Sequence, residues 1–70
     1  MGEDQWIQHD VYVFLRDYEF EDASISEIAR ETGYGYKQAR QAVYRLREDD
    51  QVEKSRQIGR FGMYWVVDNE

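Results

Sequence analysis

The sequence of 70 residues has no cysteine, no proline and one histidine, His9. Without cysteine there is no disulfide framework or thiolate metal site, and one histidine does not make a zinc centre by itself. The longest apolar run, Val11 to Leu15, is far shorter than the about 20 residues of a membrane-spanning helix. No basic and apolar leader precedes that run. We therefore expect a cytoplasmic protein with no metal, no cofactor and no membrane contact.

Catalytic patterns are also missing from the sequence. It has no nucleophile paired with a base, no phosphate-binding loop and no metal cluster, so we expect that the protein is not an enzyme. No small-molecule site is evident. The length allows one domain with a small core, and we assign residues 1–70 to a single domain.

Lysine is scarce as well. The chain has two lysines and seven arginines against fifteen acidic residues, for a net charge of −6. This composition resembles that of proteins from organisms with molar salt in their cytoplasm, where dense carboxylates hold a hydrated surface. An ordinary acidic mesophilic or viral protein is the alternative.

The charges are segregated along the chain. Residues 36–60 hold seven basic and four acidic side chains, a net charge of +3, whereas residues 1–35 carry a net charge of −7. Because the local electrostatic field steers association, the basic segment is compatible with a polyanionic partner despite the net negative charge of the chain.

The first predicted element is a helix over about 4–18. Apolar residues recur there at helical spacing, namely Ile7, Val11, Phe14, Leu15 and Tyr18. A strand through Val11 to Phe14 is the alternative, but the flanking Asp10, Arg16 and Asp17 fit a helix better.

Two further helices follow, joined by a glycine turn. The second is predicted over about 26–32, with Ile25 in a short strand before it and Ser26 as the N-cap; Ser24 with Glu27 also matches a capping box. Gly33 is placed to end this helix in a left-handed conformation. The third helix is predicted over about 36–49, with a buried stripe formed by Ala39, Ala42, Val43 and Leu46.

A β-hairpin is predicted over about 52–67. Strands over 52–57 and 63–67 flank a loop, residues 58–62, that contains two glycines and would be flexible. The predicted fold is thus α+β, with three helices and a C-terminal hairpin, in the order of a winged helix-turn-helix.

The exposed face of the third helix has a composition suited to nucleic acid. Arginine and glutamine make bidentate contacts with base edges, and lysine, tyrosine and arginine reach phosphates. A solvated helix face is also polar, but such faces usually mix Glu with Lys, and the first three turns here contain no acid. The candidate DNA-binding residues are Lys37, Gln38, Arg40, Gln41, Tyr44 and Arg45 on the helix, with Arg56 and Arg60 on the hairpin.

These segments resemble the winged helix-turn-helix superfamily of prokaryotic transcription regulators, including archaeal ones and those like the multiple-antibiotic-resistance regulator. The motifs that match are SISEIARETG, the third-helix stripe and GRFGMYWVV. The sequence departs from the pattern at Asp50, where Gly is frequent, and at Gly35, where a Ser or Thr cap is usual.

A subgroup of winged helices that binds left-handed duplexes is similar in part. Lys37 and Tyr44 fall where that subgroup has its helix Lys and Tyr. Arg40 replaces its Asn, and the hairpin lacks its Pro-Pro-Trp stretch.

The resemblance implies a sequence-specific double-stranded DNA-binding protein, a small transcription regulator of archaeal or viral character. The alternative is a winged-helix module for protein–protein interaction that binds no nucleic acid. A homodimer is also predicted, because one recognition helix covers few base pairs. Trp6, His9 and Val13 lie off the apolar stripe of the first helix and form the candidate dimer surface, unless they belong to a broad core-facing arc.

Overall fold

The computed structural model describes residues 3–67, and their side chains from Trp6 onward. Three helices, α1 (Glu3–Arg16), α2 (Ile25–Thr32) and α3 (Tyr36–Glu48), pack on a three-stranded antiparallel sheet. The sheet consists of β1 (Ala23–Ser24), β2 (Val52–Ile58) and β3 (Phe61–Val66), in the order β1-β3-β2. None of the described helices has the length and apolar character to cross a membrane.

The hydrophobic core lies between the three helices and the inner face of the sheet. Every residue predicted for the α3 stripe is buried, as are Ile7, Val11 and Leu15 of α1 and Ile28 and Ala29 of α2. Helix α1 ends at Arg16, two residues before its predicted end. Phe14 and Tyr18 are only partly buried, and they pack against the core with ring centroids 4.9 Å apart. The helical periodicity therefore predicted the core correctly.

The start of α2 differs from the prediction by one residue. Ser24, not Ser26, is the N-cap, because its hydroxyl accepts a hydrogen bond from the backbone N–H of Glu27 at 3.2 Å. Ile25 opens the helix, and the preceding short strand is Ala23–Ser24. Gly33 ends α2 as predicted, in the left-handed region with φ +84°. The chain turns there, so α3 begins only three residues after Gly33.

The two departures from the regulator pattern lie at the ends of α3. Gly35 has no side chain to cap the helix, and the side-chain oxygen of Gln38 instead accepts a hydrogen bond from the Gly35 N–H at 3.1 Å. Asp50 has φ +60°. It therefore adopts the left-handed conformation that glycine usually provides, which aspartate tolerates better than most residues.

The tip of the hairpin, which we call the wing, is tighter than predicted. The predicted flexible loop over 58–62 is wrong, because Ile58 pairs with Phe61 and Gln57 pairs with Gly62 in the strand ladder. Only Gly59, with φ +58°, and Arg60 form the turn. A bulge at Ser55 interrupts the pairing of β2 with β3. Apart from this bulge, the two strands of the wing are paired as far as the Gly59–Arg60 turn, and this pairing fixes the positions of the side chains near the tip.

Candidate nucleic-acid interface

An open groove of about 210 Å³ separates α3 from the inner face of the wing. Helix α3 contributes aromatic and basic side chains on one wall, and the wing contributes basic and polar side chains on the other. The principal lining residues are Tyr36, Arg40, Tyr44, Lys54, Gln57, Arg60, Phe61 and Tyr64. Of the residues that the structure describes, no Asp or Glu lines this groove. A polyanion would therefore meet three cations here without a neighbouring carboxylate.

The helix wall follows from the periodicity of α3. At about 100° per residue, Lys37, Arg40 and Tyr44 project within one arc, on the side of α3 away from its buried stripe. All three are exposed, and Tyr44 keeps 39% of its surface accessible. Arg40 stacks on Tyr44, with its guanidinium carbon 4.9 Å from the ring centroid. This cation–π contact orients both side chains toward the groove.

The floor of the groove is formed by Tyr64 of β3. This side chain is 5% exposed and packs among the core residues. Burial raises the pKa of Tyr64, and the adjacent Tyr44 hydroxyl acts in the same direction. The Tyr64 phenol therefore remains protonated at neutral pH. Tyr64 thus supports the exposed Tyr44 from below.

On the wing wall, Lys54 faces Tyr64 as its partner in the ladder. Gly62 leaves the space that this arrangement needs. A Cβ at position 62 would come within 2.9 Å of the Tyr64 hydroxyl and 3.3 Å of the Lys54 side chain. Arg60 stands at the turn, where it lines the outer end of the groove. The wing therefore adds two cations, one at mid-groove and one at the rim.

Three of the predicted contact residues lie on the other flank of α3. Gln38, Gln41 and Arg45 line a small cleft against Ile7 and Gln8 of α1. The Gln38 amide oxygen is already engaged with the Gly35 N–H. The structure therefore divides the predicted helix residues into a wing-side set, Arg40 and Tyr44, and an α1-side set, with Lys37 on the exposed arc between them.

Arg56 does not line the groove. Its guanidinium makes a two-pronged ion pair with the buried carboxylate of Asp22, with Nε to Oδ2 at 3.0 Å and Nη2 to Oδ1 at 3.2 Å. The Ser55 hydroxyl at the bulge donates to the same carboxylate. The charge of Arg56 is therefore compensated within the fold, and its predicted role as a phosphate clamp finds no support in this placement.

Five of the principal groove residues were not among the predicted contact residues, namely Tyr36, Lys54, Gln57, Phe61 and Tyr64. Two of them carried a usable signal, because strand residues that are two apart share a face. Lys54 follows the buried Val52 at that spacing, and Tyr64 precedes Val66. The alternation could therefore have placed a lysine and a tyrosine on the helix-facing side of the sheet. Tyr36, at the first turn of α3, gave no such signal.

The three helices, the glycine turn between α2 and α3, and the two-stranded wing define a winged-helix domain. No family model and no curated protein sequence matches the chain. Among solved structures, the chain is similar to the Zalpha domain from Carassius auratus PKZ in complex with Z-DNA, with a TM-score of 0.81 and 18% identity. That match covers 94% of this chain and 100% of the other.

Two further Zalpha structures give similar superpositions. The apo-Zalpha domain of zebrafish PKZ matches with a TM-score of 0.82 and 16% identity, over 96% of this chain and 100% of that one. The Zalpha domain of Cyprinid Herpesvirus 3 ORF112, whose binding mode to Z-DNA was determined, matches with a TM-score of 0.73 and 17% identity. The latter match covers 90% of this chain and 95% of that chain. These likenesses confirm the predicted winged-helix fold over nearly the whole chain.

Proposed function

We propose that this domain binds double-stranded DNA in the groove between α3 and the wing, and that it selects the left-handed Z form of the duplex. The observation that carries the proposal is the groove itself, a surface of cations and tyrosines in which none of the described lining residues is acidic. Its support is the fold, which superposes on the Zalpha domain solved with Z-DNA across that domain's full length. In the sequence, Lys37 and Tyr44 resemble the helix Lys and Tyr of winged helices that bind left-handed duplexes, whereas Arg40 stands where those proteins have Asn and the hairpin lacks their Pro-Pro-Trp stretch.

The net charge of −6 does not oppose this proposal. Binding of a polyanion depends on the charge at the contact surface, and each neutralised phosphate releases counterions. Arg40, Lys54 and Arg60 all border the groove, and within the described part of the chain none of them makes an ion pair. Their charges are therefore free to act on a phosphate backbone.

The chemistry of the groove favours recognition of duplex shape over base sequence. Phosphate contacts position a protein on the duplex, whereas base-edge hydrogen bonds read the sequence. The two glutamines that the sequence singled out for base contacts, Gln38 and Gln41, lie on the α1 flank and outside the groove. Gln57 does line the groove, but its amide nitrogen donates to the Gly59 carbonyl at 3.1 Å. The groove instead presents cations and tyrosine rings, which suit a backbone of particular geometry.

The test is circular dichroism of an alternating dC-dG duplex titrated with the protein at low ionic strength. Selective binding of the left-handed form shifts the duplex equilibrium by the difference in affinity for the two forms, so we expect the long-wavelength bands to invert. A random-sequence duplex of the same length should keep its right-handed spectrum. Arg40→Ala and Tyr44→Ala should reduce the conversion. The matched control is Arg16→Ala, which removes an exposed arginine at the end of α1 that pairs with Asp17. This variant should convert the duplex like the wild type.

A second candidate is sequence-specific binding of right-handed DNA by a dimeric transcription regulator. It is favoured by Gln41, which is exposed on the α1 flank of α3, and by Trp6, which is 61% exposed on α1. This candidate requires Gln41→Ala to lose about 1–3 kcal/mol on a preferred site. It also requires a dimer in light scattering that Trp6→Ala dissociates.

The two candidates and the protein-interaction alternative give different results in the same titration. Conversion of the dC-dG duplex with an unaffected Gln41→Ala variant supports the Z-form proposal. Tight binding with a right-handed spectrum contradicts it and favours the regulator. Absence of binding to any duplex contradicts both and leaves the protein-interaction module.

A further inference from the structure

We infer that Arg47 extends the interface by one helical turn and contacts a phosphate of the bound duplex beyond Tyr44. This inference rests on the proposed duplex binding. Arg47 was not among the residues that the sequence singled out, and it lies outside the groove lining. It follows Tyr44 by three residues and Arg40 by seven, so these three side chains lie on one stripe of α3.

The position of Arg47 is fixed by two aromatic rings. Its guanidinium carbon is 5.8 Å from the centroid of Tyr44 on α3 and 5.6 Å from the centroid of Tyr64 on β3. It therefore bridges the helix wall and the floor of the groove. Tyr44 in turn has a guanidinium on either side along the helix, because Arg40 contacts it from the preceding turn.

This arrangement leaves Arg47 exposed to solvent. A guanidinium that stacks on aromatic rings does so with its face, while its N–H groups lie in the plane and point outward. Among the described side chains, those of residues 6–67, no carboxylate forms an ion pair with Arg47. Arg56 and Arg16 differ, since Asp22 and Asp17 neutralise them. Arg47 is thus an oriented and uncompensated cation beside the groove, which is the condition for a charge-assisted contact to phosphate.

The test compares Arg47→Ala, Arg47→Gln and Arg47→Lys in titrations of the alternating dC-dG duplex at several salt concentrations. Each phosphate contact contributes about 0.9 to the slope of log affinity against log salt. Arg47→Ala and Arg47→Gln should therefore flatten the slope by about 0.9. Over the decade from 1 M to 0.1 M salt, this change in slope corresponds to a loss of affinity of about eightfold relative to the wild type. Arg47→Lys keeps the charge and should retain the slope. Arg16→Ala is the matched control and should change neither quantity.

The slope separates a phosphate contact from a purely structural role. If Arg47 only held the tyrosines in place, the Ala and Gln variants would bind more weakly with an unchanged slope, and that result would overturn the inference. Thermal melting followed by circular dichroism verifies that each variant is folded, and Arg47→Gln keeps a planar polar group where Arg47→Ala loses it. A wild-type protein that binds no dC-dG duplex contradicts the proposed function instead, so the two failures are distinguishable.

Discussion

The buried carboxylate of Asp22 offers the sharpest test of how the wing is attached to the helices. Its side chain is 4% exposed and accepts hydrogen bonds from the Ser55 hydroxyl and from two nitrogens of Arg56. It thereby ties the connection after α1 to the bulge of β2. Asp22→Asn keeps the shape of the side chain but removes its charge and turns one acceptor into a donor that faces the guanidinium.

The expected cost follows from these contacts. A hydrogen bond to a charged group contributes about 1.5–3 kcal/mol, and Arg56 is exposed enough to regain water when its partner is lost. We therefore expect Asp22→Asn to lower the free energy of unfolding by about 2 kcal/mol at pH 7. For a domain of this size, that loss lowers the melting temperature by about 8–16 °C.

The loss should depend on pH in a defined direction. The hydrogen bond from Ser55, helped by Arg56, lowers the pKa of Asp22 below its ordinary value of 3.8, against the opposing effect of burial. A lowered pKa in the folded state stabilises the fold above the unfolded-state pKa, and this stabilisation disappears as the pH falls through the folded-state pKa. The stability difference between wild type and Asp22→Asn should therefore be constant near neutral pH and shrink below about pH 4.

Urea unfolding followed by circular dichroism, at a series of pH values, measures this difference. Asp17→Asn is the matched control, because Asp17 also pairs with an arginine but lies on the surface, where ion pairs contribute little. Equal unfolding free energies for wild type and Asp22→Asn at pH 7 would refute the reasoning. A difference that persists undiminished in acid would show that the lost interaction is not the ionised carboxylate.

Three other substitutions test separate parts of the structure. Gly33→Ala should cost about 1–2 kcal/mol in thermal melts, purely from its φ of +84°, because no atom lies near the added methyl group. Ile28→Val removes one methylene from a fully buried side chain and should cost about 0.5–1.5 kcal/mol in urea unfolding. Arg60→Ala should flatten the salt dependence of duplex affinity by about 0.9, whereas Arg56→Ala should leave that slope unchanged because Asp22 already neutralises Arg56.

The sequence by itself determined the elements and the core. Apolar spacing identified the buried faces of α1 and α3, and Gly33 marked the turn between α2 and α3 because few other residues adopt a left-handed conformation at low cost. These signals are local, since they depend on residues within a few turns of one another. The order of the elements was then enough to predict the winged-helix class, and the charge distribution along the chain pointed to the segment that carries the groove.

Only the tertiary structure decided which polar side chains face the same space. Arg56 and Arg60 looked alike in the sequence, but Arg56 is bound by Asp22, 34 residues away, while Arg60 lines the groove. The alternation in β3 indicates which face of the sheet Tyr64 occupies, but only the fold brings Tyr64 next to Arg47 of α3. The partner of a charged side chain is set by long-range packing, which is why the sequence pointed to the segment that carries the groove but not to all of the residues that line it.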